Sequence, residues 1–437
     1  MEGRDKEGQE FCFEHMEKTM KIAHIIAREI FDSRGWPTVQ CEIVLENGRS
    51  VIASVPSGIS TGAYEAVELR DGGTRLYGKG VRKAVENIEH IIAPVLIGQE
   101  PNGIEMDLKI IELDGTPDKS KLGANALLAV SMAVYKAEAI VESMELYELI
   151  AILMDSSTVS IPYPLLNVIN GGMHANNNLR IQEFLVVPVG APNFRAAFEA
   201  GVMVYHELKS ILKQNGKSVA VGDEGGFASA FENDYEALDY LLEALNRAGE
   251  QHMLSCVIAL DVAASQFYDS ESGFYLWQDK RLTSDEMITV YEELIQRYPI
   301  YSIEDGLSQD DWQGWSKMTQ VLGTKAQIVG DNLFATNLYR IAVGLQEQAA
   351  TSVVIKPNQI GTITESLQAV HFCKNQGLNT IISHRSGETD ENFIADLAVG
   401  ASVGQIKSGG CTRGERLAKY NRLLAIEDSL TLSLLDS

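Results

Sequence analysis

Single charged residues recur at the ends of short apolar runs in the second half of this 437-residue chain. Six of them follow one another at intervals of 43, 27, 25, 28 and 23 residues: Asp261, Glu304, Asp331, Lys356, His384 and Lys407. Each interval is about the length of one strand and one helix. Because the strands of a βα barrel end at one mouth, where active sites lie, the pattern predicts a barrel whose mouth collects these six side chains.

The first part of the chain has a different pattern. Alternating apolar residues predict a strand with one buried face: Val39, Cys41, Ile43 and Leu45. Asn47-Gly48 then indicates a hairpin, and the Ala-rich stretch 125–139 indicates a helix. Strands followed by helices are typical of a small α+β domain.

Two capping-box patterns, Thr283-x-x-Glu286 and Thr362-x-x-Glu365, predict helix starts in the second region. We therefore predict an α/β protein of three parts. Residues 1–20 form a polar N-terminal extension, residues 21–155 an α+β capping domain, and residues 156–437 a C-terminal βα-barrel catalytic domain.

Composition limits the function and the compartment. The formal net charge is −24, which argues against a general nucleic-acid binder and means that an anionic substrate needs a local basic pocket. The five cysteines are scattered and form no CxxC pair, so we expect reduced thiols and a cytoplasmic protein. No apolar run approaches the ~20 residues of a membrane span, and the N-terminus lacks a secretory signal.

Three of the strand-end residues are carboxylates: Asp261, Glu304 and Asp331. Oxygen ligands of this kind suit Mg²⁺, which also binds substrate oxygens. The alternative is that each carboxylate caps the helix that follows it. Because the three acids occupy equivalent positions at successive strand ends, the metal site is favoured over three separate helix caps.

The basic strand-end residues have two interpretations as well. Lys356 or Lys407, placed beside other positive charge, would have a lowered pKa and could act as a base. Either lysine could instead form an ordinary salt bridge with the acids. The turn His384-Arg385-Ser386-Gly387 is predicted to open a helix, where its donors would suit a phosphate.

Two loops add further candidates. Glu224 lies between glycines in Gly222-Asp223-Glu224-Gly225-Gly226, where it could serve as a general acid or simply belong to a turn. His174 follows a glycine pair, and Gln182-Glu183 comes shortly after it. A lone histidine is more often structural than catalytic. The chain contains no P-loop, no GxSxG elbow and no HExxH pattern.

These residues, taken together, closely resemble the enolase family from about Ile22 to the C-terminus. Several quoted segments carry the resemblance: residues 27–35 (AREIFDSRG), the 57–62 loop, residues 122–126 (LGANA), the 222–226 turn, residues 302–305 (SIED), residues 356–362 (KPNQIGT) and residues 383–389 (SHRSGET). The last two are very specific to the family. The segment Glu304-Asp305-Gly306-Leu307 is similar to bacterial members.

The resemblance implies an enolase-type barrel and the dehydration of 2-phosphoglycerate to phosphoenolpyruvate in glycolysis. It implies the following roles: Lys356 as base, Glu224 as acid assisted by Glu183, His174 on a loop that closes over substrate, and His384 as a further catalytic residue. It further implies phosphate contacts from Arg385 and Ser386, and carboxylate contacts from Lys407 and Gln182. Two Mg²⁺ ions are implied, the first on Asp261, Glu304 and Asp331, and the second joining with substrate and held partly by the backbone of Ser60.

The family also implies assembly and partners. These are a homodimer or an octamer of dimers, plasminogen or RNA-processing partners, and a cell-surface or secreted form that lacks a signal peptide. The sequence departs from the family pattern at Trp36, in a dimer-contact segment, and at Gln266 and Asn332 near the metal ligands. The glycine-rich run 408–415 is a fourth departure, and we expect it to loosen Lys407. Two alternatives stay open: a related enzyme acting on another carboxylate, and a non-catalytic protein that retained the fold.

Overall fold

A three-stranded antiparallel sheet opens the described part of this computed structural model, which covers residues 20–59, 62–252 and 255–435. Its strands are β1 (Ile22–Phe31), β2 (Pro37–Leu45) and β3 (Ser50–Ser54), in that order. The four alternating residues predicted to share a face of β2 are all buried. Gly48, at φ +83°, makes the predicted turn between β2 and β3. The predicted extension over 1–20 lies almost wholly outside the described residues.

Helices cover one face of this sheet. They are α1 (Arg82–Asn87), α2 (Ala93–Leu96), α3 (Gly103–Asp114), α4 (Ala124–Val141) and α5 (Leu146–Leu153). One wider turn, Ile88–Ile92, joins α1 to α2. α4 is the Ala-rich helix predicted from the sequence, and it packs against β2 and β3. It is long and apolar enough for a membrane span, but 78% of it is buried inside the protein, which is the environment of a core helix.

The second region is a closed eight-stranded barrel, so the predicted α/β fold with a smaller N-terminal domain is confirmed. The barrel strands are β4 (Tyr163–Asn170), β5 (Glu183–Pro188), β6 (Cys256–Asp261), β10 (Ile300–Glu304), β11 (Gln327–Gly330), β12 (Ser352–Ile355), β13 (Asn379–Ser383) and β14 (Gln405–Lys407). A small separate sheet follows β6: β7 (Tyr268–Asp269), β8 (Phe274–Trp277) and β9 (Lys280–Leu282).

Helices lie between and after the barrel strands. They are α6 (Phe194–Gln214), α7 (Asp234–His252), α8 (Ser284–Arg297), α9 (Trp312–Leu322), α10 (Leu338–Gln346), α11 (Pro357–Ile360), α12 (Ile363–Asn375), α13 (Phe393–Gly400) and α14 (Gly414–Leu435). The capping box at Thr283 is confirmed. At α12 the Thr362 hydroxyl accepts from the Glu365 amide as predicted. The Glu365 carboxylate, however, bonds the same hydroxyl and Lys119, and not the Thr362 backbone.

One barrel strand runs against the predicted repeat. β5 is antiparallel to both β4 and β6, whereas the remaining neighbours in the barrel run parallel. A parallel return needs a crossover long enough to carry a helix. The loop over residues 171–182 holds only a short turn, Gly172–His174, so the chain comes straight back as a hairpin. Because β5 is reversed, it is its first residue, Glu183, that reaches the mouth, beside Asn170 and Asp261.

The barrel interior is apolar below the mouth. One cluster of buried residues fills it: Leu165, Leu185, Val187, Ala259, Val329, Val354 and Ile381. All lie on barrel strands, and such layers of aliphatic side chains make a packed core and not a pore. The charged residues at the strand ends therefore stand on a rigid apolar base.

Phe334 packs between two glycines on the outside of β11. An added Cβ on Gly344 of α10 would lie 2.3 Å from the Phe334 ring, and one on Gly330 would lie 2.4 Å from it. Phe334 is 1% exposed, so the ring is enclosed by other residues and cannot turn out into solvent without leaving the core. The absence of side chains at both positions is therefore what lets α10 approach β11.

Gly344→Ala tests this close approach. Helix propensity alone predicts a gain of about 1 kcal/mol in stability, but overpacking against Phe334 should cost about 1–3 kcal/mol. We expect net destabilisation, measured as a lower midpoint of urea unfolding. Gly404→Ala is the control, since its Cβ would meet nothing within 4 Å. A midpoint for Gly344→Ala at or above wild type would contradict the packing argument.

Candidate active site at the barrel mouth

The six strand-end residues lie together at the mouth. Asp261, Glu304 and Lys407 are the last residues of their strands, and Asp331, Lys356 and His384 each follow the end of one. All of them except Glu304 line one cavity, and Glu304 joins them through Lys407. Other residues predicted from the sequence line the same cavity: His174, Gln182, Glu183, Glu224, Arg385 and Ser386. Ser60 lies outside the described residues.

Lys407 is the centre of the charge network. Its ammonium nitrogen lies close to three carboxylates: Asp261 Oδ2 at 2.9 Å, Glu304 Oε1 at 2.8 Å and Glu183 Oε2 at 3.2 Å. The side chain is 2% exposed, so water screens these interactions little. Burial alone would lower the pKa of Lys407, but the carboxylates hold it well above its usual value.

The acids outnumber the ammonium groups that face them. Burial, together with the neighbouring Asp261, raises the pKa of Glu304 well above its usual value. Asp331 has the opposite shift: its pKa is lowered, against burial, by the Lys356 and Lys407 ammonium groups. The mouth therefore contains more acidic groups than its own ammonium groups can keep ionised, which makes it a suitable place for a cation.

Lys356 donates to Asp331 Oδ2, and Gln359 Nε2 donates to the other carboxylate oxygen at 3.0 Å. The sequence predicted a lowered pKa for a lysine near positive charge. The structure has the opposite direction: burial, Arg385 and Lys407 lower the pKa of Lys356, but the adjacent Asp331 carboxylate outweighs them and raises it. Lys356 is thus a cation for as long as Asp331 is its partner.

The carboxylate trio is not used for helix capping, which was the alternative. The helices after these strand ends are capped by other residues: Thr283 for α8, Asp311 for α9 and Asn337 for α10. An all-oxygen donor set with excess negative charge fits a hard divalent cation such as Mg²⁺.

Within the described part of the chain, a different trio brings its potential ligand atoms close together. Those of His174, Glu183 and Glu224 lie within 4.8 Å of one another, whereas lysine ammonium groups lie between the predicted metal ligands. His174 Nδ1 is 3.3 Å from Glu224 Oε2 and 3.5 Å from Glu183 Oε1. Two carboxylates and one imidazole at these distances can share protons, so their closeness requires no metal.

The protons in this second trio are unequally held. Burial and the Glu224 charge raise the pKa of Glu183 well above its usual value. Burial would raise that of Glu224 too, but the His174 and His384 rings lower it well below its usual value. Asn167 Nδ2 also donates to Glu224 Oε2 at 3.1 Å, which favours the ionised form. The pair thus behaves as one proton-sharing unit, in which Glu183 carries the proton.

Arg385 is anchored by the N-terminal domain. Its guanidinium contacts Glu65 through two bonds, Nη1 to Oε2 at 2.9 Å and Nη2 to Oε1 at 3.3 Å, and it also donates to Asn358 Oδ1. An added Cβ on Gly58 would lie 2.0 Å from Nη2, so a larger residue there would displace the guanidinium from its present position. The result is a buried cation whose fork geometry suits an oxyanion.

The turn that contains Arg385 does not open a helix, so that prediction is wrong. α13 begins at Phe393, and the turn instead pairs with the N-terminal domain through Ser57 and Gly387, which exchange two backbone hydrogen bonds. Ser386 Oγ accepts from the Ile59 amide at 2.8 Å and from Arg34 Nη1 at 3.4 Å. The donors near this turn therefore come from another domain, not from a helix N-terminus.

The glycine-rich run after Lys407 is held firmly, which is also contrary to expectation. The Gly410 amide donates to the Glu224 carbonyl at 2.7 Å, and Tyr420 bonds both the Ser408 amide and the Gly409 carbonyl. Gly409 has φ +80°, and a Cβ there would lie 2.8 Å from the Glu224 carbonyl oxygen. These glycines bring the strand end against the Glu224 loop and so fix both.

Sequence reasoning missed several residues that support the site. Glu65, Arg34, Asn167 and Arg416 each bond a predicted residue or its backbone. Their partners are far away along the chain, so no local pattern could have indicated them. Two of the departures noted in the sequence also have partners within the chain: Gln266 donates to Gln182 Oε1 at 2.5 Å, and Trp36 packs edge-on against Tyr77.

Two family models match the chain. Residues 22–150 match the N-terminal domain of enolase, and residues 158–434 match the enolase C-terminal TIM barrel domain. The first match contains the β1–β3 sheet with its helices, and the second contains the whole barrel and the mouth residues. Together they cover most of the chain.

Lys407→Met tests the charge network. Removing one partner of a buried ion pair usually costs about 3–5 kcal/mol, and here three acids lose their shared cation. A buried carboxyl with a raised pKa loses stability as pH rises through that pKa, so the deficit should grow from pH 6 to pH 8. Urea unfolding with a chelator present measures it.

The control for this variant is Lys325→Met, which breaks a half-exposed pair with Glu292 and should cost about 1 kcal/mol or less. Equal deficits for the two variants, or a Lys407→Met deficit that shrinks as pH rises, would contradict the role of Lys407.

Proposed function

Because this chain belongs to the enolase family, we propose that it is a magnesium-dependent hydro-lyase. It interconverts 2-phospho-D-glycerate and phosphoenolpyruvate, a reaction of glycolysis and gluconeogenesis. The observation that carries the proposal is the shared cavity in which Lys356 and the Glu183–Glu224 pair accompany Asp261, Asp331 and a buried arginine, with Glu304 joined to it through Lys407. The reaction needs a base for a weakly acidic C–H, an acid for a departing hydroxyl and cationic groups for two anionic ends of the substrate.

We assign the metal to the carboxylate trio. Asp261, Glu304 and Asp331 would hold one Mg²⁺, and the second, arriving with substrate, would use the backbone of Ser60. Bound Mg²⁺ would supply positive charge that neutralises these carboxylates, weakens the hold of Asp331 on the Lys356 proton and stabilises the negative charge that develops on the substrate carboxylate.

Lys356 is the proposed base. It must be neutral to accept the C2 proton at Nζ, and Asp331 is the group that now keeps it charged. Lys407 and Gln182 would bind the substrate carboxylate, where charge accumulates as the C2–H bond breaks. Arg385 and Ser386 would bind the phosphate, with Glu65 fixing the guanidinium.

The Glu183–Glu224 pair is the proposed acid. A proton held by the pair would pass to the C3 hydroxyl, the C3–O bond would break, the C2=C3 bond would form, and water would leave. Glu224 was the sequence-based choice of acid, but the raised pKa of Glu183 suggests that the proton resides on Glu183 and is delivered by the pair. His174 contacts both carboxylates and would keep this side of the cavity polarised. His384, in the turn beside these two carboxylates, would be a further catalytic residue.

Assembly and location follow as proposals from the family. We propose a cytoplasmic homodimer or an octamer of dimers, with a cell-surface or secreted form as a further state and plasminogen or RNA-processing partners. Trp36 lies in the segment that contributes to the dimer contact in the family. Its ring packs against Tyr77 of its own chain, and the Lys79 ammonium lies 4.2 Å from the ring centroid. A different carboxylate substrate, or a scaffold without activity, would be the conclusion if 2-phosphoglycerate were not turned over.

Magnesium dependence should be absolute. Chelation should abolish turnover of 2-phosphoglycerate in a coupled assay, and added Mg²⁺ should restore it, because the three acids otherwise repel the substrate. Asp331→Ala should abolish most of the turnover while lowering the free energy of unfolding comparatively little. Full activity in chelator would overturn the metal assignment.

The base and the acid can be separated by hydrogen exchange. Lys356→Ala should lose both turnover and exchange of the C2 hydrogen with solvent deuterium. Glu224→Gln should lose turnover but still exchange that hydrogen, since proton removal needs only the lysine and the metals. A positioned acid or base contributes roughly 10²–10⁴-fold, so both losses should be plain in proton NMR of 2-phosphoglycerate in deuterated buffer.

Glu183→Gln extends the comparison, because the proton-sharing pair predicts the same behaviour for it as for Glu224→Gln. Exchange by Lys356→Ala at the wild-type rate would overturn the base assignment. Absence of exchange in both glutamine variants, with substrate still bound, would mean that the pair does not act after proton removal.

A further inference from the structure

Arg416 lies at the start of α14 and is completely buried. Its four terminal N–H hydrogens have four acceptors: Nη1 bonds His384 Nδ1 and the Arg385 carbonyl, both at 2.6 Å, and Nη2 bonds the Ser386 carbonyl at 2.6 Å and the Asp223 carbonyl at 3.1 Å. One side chain thus ties the turn after β13 to the loop that carries Glu224.

The contact with His384 restricts the imidazole ring. A guanidinium has only donors and stays charged in proteins, so His384 Nδ1 must be the acceptor and cannot carry a proton. A ring with a bare Nδ1 is neutral and holds its one proton on Nε2. We infer that Arg416 is a positioning residue that fixes His384 as the neutral Nε2–H tautomer.

The Nε2–H faces the cavity. It lies 4.0 Å from Glu224 Oε1, which is too long for a hydrogen bond, and the His384 amide donates to the Lys407 carbonyl at 2.9 Å and so fixes the backbone. The group is therefore a preset donor for an oxygen atom in the cavity. That this oxygen belongs to the substrate rests on the proposed function, but the tautomer does not. His384 is accordingly not the base.

Burial and the cations around the ring also favour its neutral form. Burial lowers the pKa of His384 well below its usual value; Glu224 opposes this, and Arg416, Lys407 and Lys356 reinforce it. The glycine at 409 makes room for the arrangement, since a Cβ there would lie 2.7 Å from Arg416 Cδ. The glycine-rich run and the buried Arg416 thus act together to position His384.

Nitrogen NMR of ¹⁵N-histidine-labelled protein, without substrate, tests the tautomer directly. We expect the His384 ring, assigned by its loss in His384→Gln, to be neutral with the proton on Nε2 throughout pH 6–8. A ring protonated on Nδ1, or an imidazolium at pH 7, would overturn the inference. A correct tautomer in a protein that does not turn over 2-phosphoglycerate would reject the proposed function alone.

Arg416→Met isolates the cause. Without the guanidinium, Nδ1 is no longer obliged to accept, so part of the Nε2–H signal should give way to the Nδ1–H tautomer. Loss of one of the cations that lower the His384 pKa should also raise that pKa, although burial still opposes it, so turnover should fall more steeply at acid pH than in wild type. Tyr420→Phe is the matched control, because it removes a buried hydroxyl from the same helix that bonds the Gly409 carbonyl but not His384. It should keep the Nε2–H signal.

If Arg416→Met kept the wild-type histidine spectrum and pH profile, the inference would be contradicted. Loss of the Nε2–H signal in Tyr420→Phe would contradict it too, because it would point to general loosening of the mouth. Should Arg416→Met fail to fold, the tautomer of the wild-type protein decides the question by itself.

Discussion

The buried ammonium of Lys407 is the interaction on which the barrel mouth depends. It contacts carboxylates from three neighbouring strands, and these acids would otherwise repel one another in a water-poor cavity. One ammonium cannot hold three carboxyl groups ionised, and the pKa values of Glu183 and Glu304 are accordingly raised, while Lys356 is engaged by a fourth carboxylate. The mouth therefore contains more acidic groups than its own cations can keep ionised. Such a cluster is a weak contributor to stability but a suitable arrangement for binding a divalent cation.

The surrounding structure holds these charges in place. The hairpin reversal of β5 brings Glu183 to the mouth, and the glycine-rich run brings the end of β14 against the Glu224 loop. The N-terminal domain completes the site from the other side, where Glu65 holds Arg385. The two domains thus share one site, and neither forms it alone. This division explains why the buried polar groups of the mouth have partners from both ends of the sequence.

The sequence predicted the part of this arrangement that is periodic. Strand-end residues recur at the length of a βα unit, so their convergence followed from the barrel geometry alone. The direction of β5 could have been predicted from the short 171–182 loop, which has no amphipathic helix. The start of α13 was misjudged because a Ser-Gly turn resembles a helix start when its bridge partner, Ser57, is unknown. Glu65 and Arg416 could not be predicted, because their role comes from contacts with residues far away in sequence. The pKa of Lys356 was misjudged because its nearest charge is an acid, and only the folded chain has that neighbour.

On the proposed function, the mouth is electrostatically strained until a divalent cation binds. The most direct measurement is the thermal unfolding midpoint of wild type and Glu304→Gln, each with chelator and with Mg²⁺. Glutamine resembles the protonated carboxyl that the raised pKa of Glu304 favours. The variant should therefore equal or exceed wild type in chelator. Wild type should gain about 2.7 kcal/mol when Mg²⁺ is present at a hundred times its dissociation constant, and the variant should lose most of that gain. A variant that is less stable than wild type in chelator, and equally stabilised by Mg²⁺, would contradict the claim.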